Sequence, residues 1–493
     1  MKDFLFKGKD RTDIMALALC LAAFSFFSIV LSYKFFHFGY YDWDLAFFAQ
    51  GMWGLCHGAG YVSLFDTNFF SNHANLIAVL IVPIYKLFPH PLTLVLLKVL
   101  SFVTAAYVLY VFAKEKLGPP TAFLFLCLYL FYIPNLFGIF YEFDFESLAP
   151  PFLMLIFYFY EKERWLGFLV CAGILILIKE NLSLIVLAFS IHALFIKKDK
   201  IRWAVIPGAL ALVSFYLLVC VFIPYMSGRP IGEGHPYYIG ENYKDLGGSI
   251  QGILFSFIFH PIRVWHYILT PENTRFLFIL FNPFMYLPLA SPGVLFLISP
   301  IIVQHLLSSS MTEHSILFAY VLTMSPVLFL ATISTLEYIH KNLRPAYPFV
   351  LMVLSFLSLL YFFMLFTEHH KRFILNAFPN QTQQILHDQW ELVRLVPPDA
   401  SVLASFSFLA PLSQRKDLYA FYKIYDPKFQ SDQWSYKLPP DVQYALIDSR
   451  DPWLLKESDY KSAKERARKF LASGDWIVLK KYGRFTLYKR KAV

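Results

Sequence analysis

The chain has 493 residues, of which 57% are hydrophobic and only 16% are charged, and its mean hydropathy is +0.52. Soluble domains carry about 25% charged residues, so this composition excludes an ordinary soluble globular protein and indicates a polytopic membrane protein. The net charge of +9 does not indicate a nucleic-acid partner, because the basic residues lie mostly in short loops between apolar runs.

The apolar runs predict membrane-spanning helices, each of which needs about 20 apolar residues. Five runs reach about that length, at 14–33, 91–113, 203–225, 315–336 and 346–366. Six shorter runs are predicted to span once polar helix ends extend them, at 119–133, 148–160, 165–178, 182–196, 275–290 and 293–307. The sequence therefore predicts about eleven spans, and the run 75–88 is short enough for an interfacial or re-entrant helix.

Lysine and arginine predict how these spans are oriented. Basic residues concentrate in the N-terminal segment and in short loops on one side, whereas four longer segments hold few of them: 34–90, 134–147, 226–274 and 308–314. Under the positive-inside rule the N-terminus is cytoplasmic and the C-terminus lies outside. The prediction is a transmembrane domain over 1–366, whose outer loop 34–90 contains interfacial helices, and an extracytoplasmic domain over 367–493.

The last hundred residues read as a small α/β domain. Short apolar runs at 401–405 and 444–448 predict strands, and 476–490 predicts a hairpin that turns near Gly483. A helix is predicted over 460–473, with a glycine after it as a C-cap. The five cysteines form no CxxC or Cys/His pattern, so neither a zinc site nor a disulfide framework is predicted.

The first outer loop opens with GYYDWDLAFFAQ (39–50), which places Asp42 and Asp44 among aromatic residues. An apolar stripe at helical spacing follows: Leu45, Phe48, Met52 and Leu55. This spacing predicts an amphipathic helix on the membrane surface, with the stripe facing lipid and Asp44 at its N-terminus. Free N–H groups and the helix dipole favour a carboxylate there, so Asp44 is either a simple cap or a cap that also serves catalysis.

Further polar residues lie in the first two outer loops. His73 is either a hydrogen-bonded anchor or a residue that orients a phosphate or joins Asp44 on a divalent cation. In the second outer loop, Glu142, Asp144 and Glu146 alternate with phenylalanines. Three acids so close together need solvent, a cation or a basic partner. They form either a solvated loop tip or a site for metal coordination or general acid–base work.

Lys179 and Glu180 interrupt a long apolar stretch at a predicted outer turn. Ionisable residues at such depth are costly and usually face a cavity or each other, so the two residues form a structural turn or present Lys179 to a lipid phosphate. The Gly- and Pro-rich segment within 226–274, which contains Arg229, Glu233 and His235, predicts a mobile lid or binding loop. Glu313 and His314 lie in a short outer turn, where a structural role is favoured.

The motifs in this order resemble a family of bacterial and archaeal membrane proteins, domain of unknown function 2079. Residues 43–50 (WDLAFFAQ) are similar to the family's FDLGIFxQ, and 72–74 (NHA) are similar to its DHF. Residues 142–148 (EFDFESL) resemble its DFHPEAL, and 179–181 (KEN) resemble its KED. The family resemblance implies an integral protein of a bacterial or archaeal plasma membrane.

The resemblance continues to the C-terminal part of the chain, at 397–404 and 412–421. Three residues depart from the family pattern. Asp144 stands where the family usually has His, whereas Asn72 and Asn181 stand where it has Asp. These departures alter any metal or proton-relay site that the family shares.

Through this family the chain also resembles the GT-C glycosyltransferases, which take a sugar from a polyprenyl phosphate and pass it to an acceptor on the outer face. The resemblance implies a GT-C-like α-helical membrane fold with a small C-terminal α/β domain. It implies that Asp44, as general base, and Glu146 are catalytic. Substrate-binding roles are implied for Gln50, His73, Lys179 and Glu180.

The same resemblance implies the ligands. They are membrane lipid, a polyprenyl-phosphate sugar as donor, and a glycan, lipid or protein acceptor that stays unidentified. A divalent cation (Mg²⁺, Mn²⁺ or Zn²⁺) held by Asp44 and Asp144 is compatible with the motifs. A non-catalytic membrane scaffold and a transporter of a lipid-linked solute stay open as alternatives.

Overall fold

The computed structural model describes residues 10–40, 44–228, 237–426, 430–431, 434–451 and 460–491. In this part of the chain, five helices are long and apolar enough to cross a membrane: Arg11–Phe36, Pro91–Leu117, Ile201–Met226, Val321–Asn342 and Tyr347–Lys371. They coincide with the five long runs in the sequence. The prediction of a helical polytopic membrane protein is therefore confirmed.

The shorter runs form shorter or broken helices. Pro119–Phe131 and Ile133–Phe140 meet at a 49° bend and make a sixth span if the pair is counted as one. Pro134 lies in the first turn of the second helix, where it lacks the N–H that would continue the hydrogen-bond ladder of the first. Prolines 283, 288 and 300 similarly lie where the predicted runs 275–290 and 293–307 are broken. The resulting elements are Pro271–Phe281, Pro292–Phe296, Ser299–Leu307 and short 3-10 turns.

The remaining short helices do not reach the length of a span. Pro150–Glu161 has 12 residues, and Trp165–Ile178 and Ser183–Ile196 have 14 each. At 1.5 Å per residue, 14 residues cover about 21 Å, against a hydrocarbon core of about 30 Å. By length and composition the described helices give five or six spans, fewer than the eleven predicted.

The chain divides into two compact units, and the first comprises Met1–Ser28, Phe70–Ala78 and Leu96–Phe373. Most of Val321–Asn342 is buried in this unit. Its Phe329 makes edge-to-face contacts with Tyr129, Tyr132 and Phe284. In the predicted lid region the described residues form the helices Tyr237–Asn242, Ile250–Phe259 and Pro261–Ile268. Arg229, Glu233 and His235 lie outside the described residues.

The second unit comprises Ile29–Phe69, Val79–Val95 and Ile374–Val493. Its five-stranded sheet has the spatial order Leu418–Ala420, Val402–Ala404, Tyr444–Asp448, Phe485–Arg490 and Trp476–Tyr482. The first three strands are parallel, and the last two pair antiparallel. Helices Gln383–Leu395, Tyr422–Tyr425 and Tyr460–Leu471 accompany the sheet. Two-residue strands pair as Tyr61–Val62 with Thr67–Asn68 and as Gln430–Ser431 with Trp434–Ser435.

The C-terminal elements predicted from the sequence are present. The predicted strands at 401–405 and 444–448 and the 476–490 hairpin match strands in this sheet. Gly474 and Gly483 have φ of 86° and 52°, a left-handed conformation that glycine adopts without strain at a helix end and a turn. The small α/β region is therefore confirmed. The division at 366/367 stays a prediction, since the second unit also includes residues of the segment 34–90, the predicted first outer loop.

The helix after the acidic motif, Asp44–Cys56, differs from its prediction in one respect. Leu45 and Met52 are fully buried and Phe48 is 6% exposed. The apolar stripe therefore packs against protein instead of facing the membrane. By contrast, the next helix, Ile77–Leu87, leaves Val79, Leu80 and other apolar side chains exposed, as expected for an interfacial helix.

Candidate functional site

The acidic segment that was predicted to be the second outer loop is folded and buried. After the helix Ile133–Phe140 the chain enters a 3-10 turn, Phe145–Leu148, in which the Asp144 carboxylate accepts a 2.7 Å hydrogen bond from the Glu146 backbone N–H. Asp144 is thus an N-cap. Glu142 and Glu146 are each only 3% exposed. The interpretation of these acids as a solvated loop tip is therefore wrong.

A lysine near the start of a helix that is long enough to span the membrane binds this loop. Lys98 is fully buried in Pro91–Leu117. Its ammonium group donates to the carbonyl oxygens of Tyr141 at 2.7 Å and Glu142 at 3.1 Å. These bonds fix the backbone where the acidic loop begins. Lys98 was not among the sequence-predicted residues, although a lysine inside an apolar run is itself a signal of a buried partner or cavity.

Glu146 and Lys179 form a buried ion pair in the first unit. Lys179 lies in the break between Trp165–Ile178 and the next helix, with an extended backbone at φ −158°. Its Nζ lies 2.5 Å from Oε2 of Glu146. The other carboxylate oxygen of Glu146, Oε1, is buried and has no hydrogen-bond partner among the described residues. The pair therefore keeps one acceptor available to a bound molecule.

His73 pairs with Glu180, the residue after the lysine. The two groups meet at 2.7 Å between Nδ1 and Oε1, and Oε2 of Glu180 also accepts from the Ala74 backbone N–H at 3.1 Å. Burial raises the pKa of Glu180, but His73 and Lys179 together outweigh this and hold that pKa at about 2. Glu180 is therefore an ionised anchor for His73. The structure brings together these four predicted residues of the first unit: His73, Glu146, Lys179 and Glu180.

The pair region continues into the helix Ser299–Leu307 and the turn after it. Asn181 donates its side-chain N–H to Oε1 of Gln304 at 3.2 Å. His305, 2% exposed, places Nδ1 3.1 Å from Oε2 of Glu313. Tyr320 connects the two regions, since its ring centroid lies 5.9 Å from Lys179 Nζ and 5.2 Å from the His305 ring.

These side chains form one polar cluster, in which opposite charges compensate one another. The cluster is defined as Asp144, Glu146, Lys179, Glu180, Asn181, Gln304, His305, Glu313 and Tyr320. Burial lowers the pKa of Lys179, but Glu146 and the other nearby acidic groups raise it well above its ordinary value. Burial raises the pKa of Glu313, and His305 with Lys179 reverses this and lowers it. Lys179, Glu180 and Glu313 are thus stabilised in their charged forms, and the cluster contains more carboxyl groups than lysines.

Asn242 fixes the position of Glu313 by donating to its Oε1 at 2.7 Å. His305, Gln304 and Tyr320 were not predicted from the sequence. Their positions in the cluster depend on how helices distant along the chain pack, and a histidine near a helix end carries no local signal of such a contact. Glu313 was noted only as a turn residue, and the structure gives it a buried charged partner.

Two predicted site residues belong to the second unit. Asp44 is the first residue of its helix and is partly exposed, whereas Asp42 lies outside the described residues. The Gln50 amide nitrogen donates to Ser63 Oγ and to the carbonyls of Arg415 and Lys416, at 2.8, 3.2 and 2.9 Å. Its oxygen accepts from Leu64 N–H at 3.1 Å. Gln50 thus joins chain segments, and binding substrate would require breaking these bonds.

The predicted divalent-cation site receives no support from the ligand geometry. Among the residues that the structure describes, no group of three or more His, Cys, Asp or Glu side chains is arranged to hold a metal ion. The Asp144 carboxylate is engaged as a helix cap. No chemical step is assigned to a cation, and a cation held by Asp44 and Asp144 stays a prediction.

An apolar cavity of about 500 Å³ lies at the bend between Pro119–Phe131 and Ile133–Phe140. Side chains of four α-helices and the 3-10 turn Asn282–Phe284 line it, including Leu128, Tyr132, Phe284, Phe329 and Leu359. Only one helix, Ile133–Phe140, separates the bend from the acidic loop along the chain. Its eight residues correspond to about 12 Å at 1.5 Å per residue.

The long apolar helices, together with the buried ionic cluster, define the chain as a polytopic helical membrane protein. The sequence profile of the predicted membrane protein family DUF2079 matches residues 34–484, and the chain belongs to that family. A comparison with curated proteins finds no match.

Among solved structures, the chain is similar to ArnT from Cupriavidus metallidurans, which was crystallised bound to undecaprenyl phosphate. The identity is 12% and the TM-score 0.47, over 96% of this chain and 97% of the ArnT chain.

Proposed function

We propose that this protein is a GT-C-like membrane glycosyltransferase that moves a sugar from a polyprenyl-phosphate donor to an acceptor on the extracytoplasmic face. The observation that carries this proposal is the buried Glu146–Lys179 pair with one unpartnered carboxylate oxygen. Buried charges are costly to maintain for structure alone. In a membrane protein, ionised side chains that are held fixed and leave an acceptor open are typical of a site that binds and converts a polar ligand.

The transfer itself is a substitution at the anomeric carbon of the sugar. The acceptor oxygen forms the new bond to that carbon, the bond from the carbon to the phosphate oxygen breaks, and polyprenyl phosphate leaves with the electron pair. A general base takes the acceptor proton. We assign that role to Asp44, because the start of a helix fixes the direction of its carboxylate.

The cluster residues would act on the donor. Lys179 provides positive charge toward the leaving phosphate, which is stabilised most where such a group is preorganised, and His73 provides a ring nitrogen for hydrogen bonding. Glu146 keeps Lys179 charged and in place and offers Oε1 to the substrate, while Glu180 orients His73. The isoprenoid chain would lie in the apolar cavity at the helix bend, close along the chain to the acidic loop.

The proposal is tested in a strain that lacks the gene, complemented with the wild-type chain, Asp44→Asn or Glu146→Gln. Glycans and glycolipids extracted from the cells are compared by mass spectrometry. Wild type is expected to restore a glycosylated product that both variants fail to restore at equal membrane abundance. Glu163→Gln, a change at an acid whose side chain is 67% exposed, is the matched control and should behave as wild type.

Other outcomes identify the alternatives. Unchanged glycans in the deletion strain would contradict a transferase. Movement of an intact lipid-linked solute across proteoliposomes, with no product formed, would favour a transporter. A stable partner that is captured equally by wild type and Asp44→Asn would favour a scaffold.

A further inference from the structure

The polar cluster contains more hydrogen-bond acceptors than its own donors satisfy. Oδ1 of Asn181 and Oε1 of Glu146 are buried and lack a partner in the described residues, and Oε2 of Glu313 has only the ion-pair approach of His305. Asn181, Glu146 and Glu313 are each more than nine-tenths buried. Unsatisfied buried acceptors are rare in native proteins and generally mark a bound water or ligand.

These acceptors belong to one connected set of residues. Lys179, bound to Glu146, lies two residues before Asn181 and approaches the Tyr320 ring. That ring in turn contacts His305, which pairs with Glu313. Asn181 also bonds Gln304, the neighbour of His305 on the same helix. A ligand at this cluster would therefore meet groups from three separate chain segments.

The chemistry of these atoms restricts the ligand. Carboxylate and amide oxygens accept hydrogen bonds, so the ligand must supply donors. The charged groups beside the unsatisfied oxygens are the carboxylates of Glu146 and Glu313, which disfavour a further carboxylate there, whereas the donor phosphate would meet the Lys179 ammonium group. A hydroxyl-rich, uncharged ring meets both conditions, whereas a carboxylated sugar fails the second.

We propose that Asn181, Glu146 and Glu313, with His305 beside them, form the pocket that recognises the sugar ring of the donor and that selects a neutral hydroxylated sugar over a carboxylated one. This inference rests on the proposed function and adds to it the class of sugar.

The test measures binding to the full-length chain in detergent by isothermal titration. The probes are a short-chain prenyl phosphate alone, and the same lipid carrying glucose, galactose, mannose or glucuronate. Wild type is expected to bind at least one neutral-hexose probe more tightly than it binds the bare lipid phosphate. It is expected to bind the glucuronate probe more weakly than that hexose probe. Asn181→Leu should lose about two- to tenfold in affinity for the hexose probe, the effect of one hydrogen bond, and bind the bare lipid phosphate unchanged.

Glu313→Gln provides a second variant, since it keeps the shape of the side chain and removes its charge. It should reduce the discrimination against glucuronate. Asn342→Leu, at an exposed helix end, is the matched control and should bind all probes as wild type does. The thermal unfolding midpoint of each variant checks that it is folded.

The outcomes separate the two levels of the proposal. Equal binding of hexose and bare lipid phosphate by wild type, or an equal loss of both in folded Asn181→Leu, would overturn the sugar pocket and leave the transferase proposal standing. Failure of wild type to bind any of the lipid phosphates would overturn both.

Discussion

At the scale of single residues, the buried pair Glu146–Lys179 determines how substitutions behave. Each partner has its charge compensated chiefly by the other, so removing one leaves a less compensated charge in a buried site. Removing both leaves none. The structural and catalytic contributions of the pair can therefore be measured separately.

Lys179→Met is expected to destabilise the protein by about 3–5 kcal/mol, the typical effect of breaking a buried pair. The double change Glu146→Gln with Lys179→Met should recover most of that stability and no activity. Thermal unfolding of the purified chain in detergent measures the stability of the single variant and of the double variant. Arg275→Met, which removes an ion pair whose side chains are 66% and 48% exposed, should shift the midpoint little. A double variant as unstable as Lys179→Met would contradict the charge argument.

Asp448 gives a prediction on pH that is independent of the candidate site. Burial raises its pKa to about 6, although the Arg450 N–H and Arg484 oppose that shift. The folded state therefore binds a proton more readily than the unfolded state. The stabilisation of the folded state by this proton is complete below the ordinary aspartate pKa of about 4 and is lost as the pH rises through about 6.

Asp448→Asn should consequently raise the unfolding midpoint of the full chain at pH 7.5 relative to wild type, by more than it does at pH 4. Asn retains an oxygen for the Arg450 N–H bond. Asp475→Asn, at an exposed position, is the control and should show no such pH dependence. Equal effects of Asp448→Asn at both pH values would mean that the carboxylate is not protonated on folding.

At the scale of elements, the local sequence pattern predicted those helices and strands that are specified by residues close together in the chain. The strand Tyr444–Asp448 and the 476–490 hairpin were predictable because short apolar runs are bounded by polar or turn residues. The three-residue strand Leu418–Ala420 was missed, since it is too short for a period to show. Among the helices, the five long apolar runs were correct, whereas runs divided by proline had too little uninterrupted length to span.

The candidate site was predictable only in part for the same reason. Acids and lysines in apolar surroundings identified Glu146, Lys179 and Glu180, because their placement is costly wherever the chain goes. His305 and Tyr320 entered through packing between distant helices. The stripe of Asp44–Cys56 was correctly predicted as helical, but periodicity does not tell whether an apolar face meets lipid or protein.

Lys98 provides a test at this scale, because one side chain fixes the start of the acidic loop. Lys98→Met leaves the Tyr141 and Glu142 carbonyls without these bonds, which should destabilise the protein by about 1–3 kcal/mol. It should also increase hydrogen exchange at the amides of 145–149 and reduce activity. Lys86→Met, at an exposed lysine, is the control and should change neither. Unaltered exchange in folded Lys98→Met would show that the loop does not depend on this lysine.

At the scale of the whole molecule, the proposed function requires three regions to serve one reaction. The buried cluster would hold the phosphate and sugar, the apolar cavity the isoprenoid, and Asp44 the acceptor. Of these three regions, only the buried cluster contains direct contacts between site residues that were predicted from the sequence. The proposed function therefore depends on whether turnover of the donor requires both Asp44 and Glu146.

The most direct measurement follows a labelled polyprenyl-phosphate hexose in membrane vesicles from a strain that lacks the gene. When purified wild-type chain is added to these vesicles, it is expected to transfer the label to a product and to release free polyprenyl phosphate. Asp44→Asn and Glu146→Gln, at equal abundance, should do neither. Equal turnover by wild type and both variants would contradict the central claim, as would passage of intact donor across the membrane without release of polyprenyl phosphate.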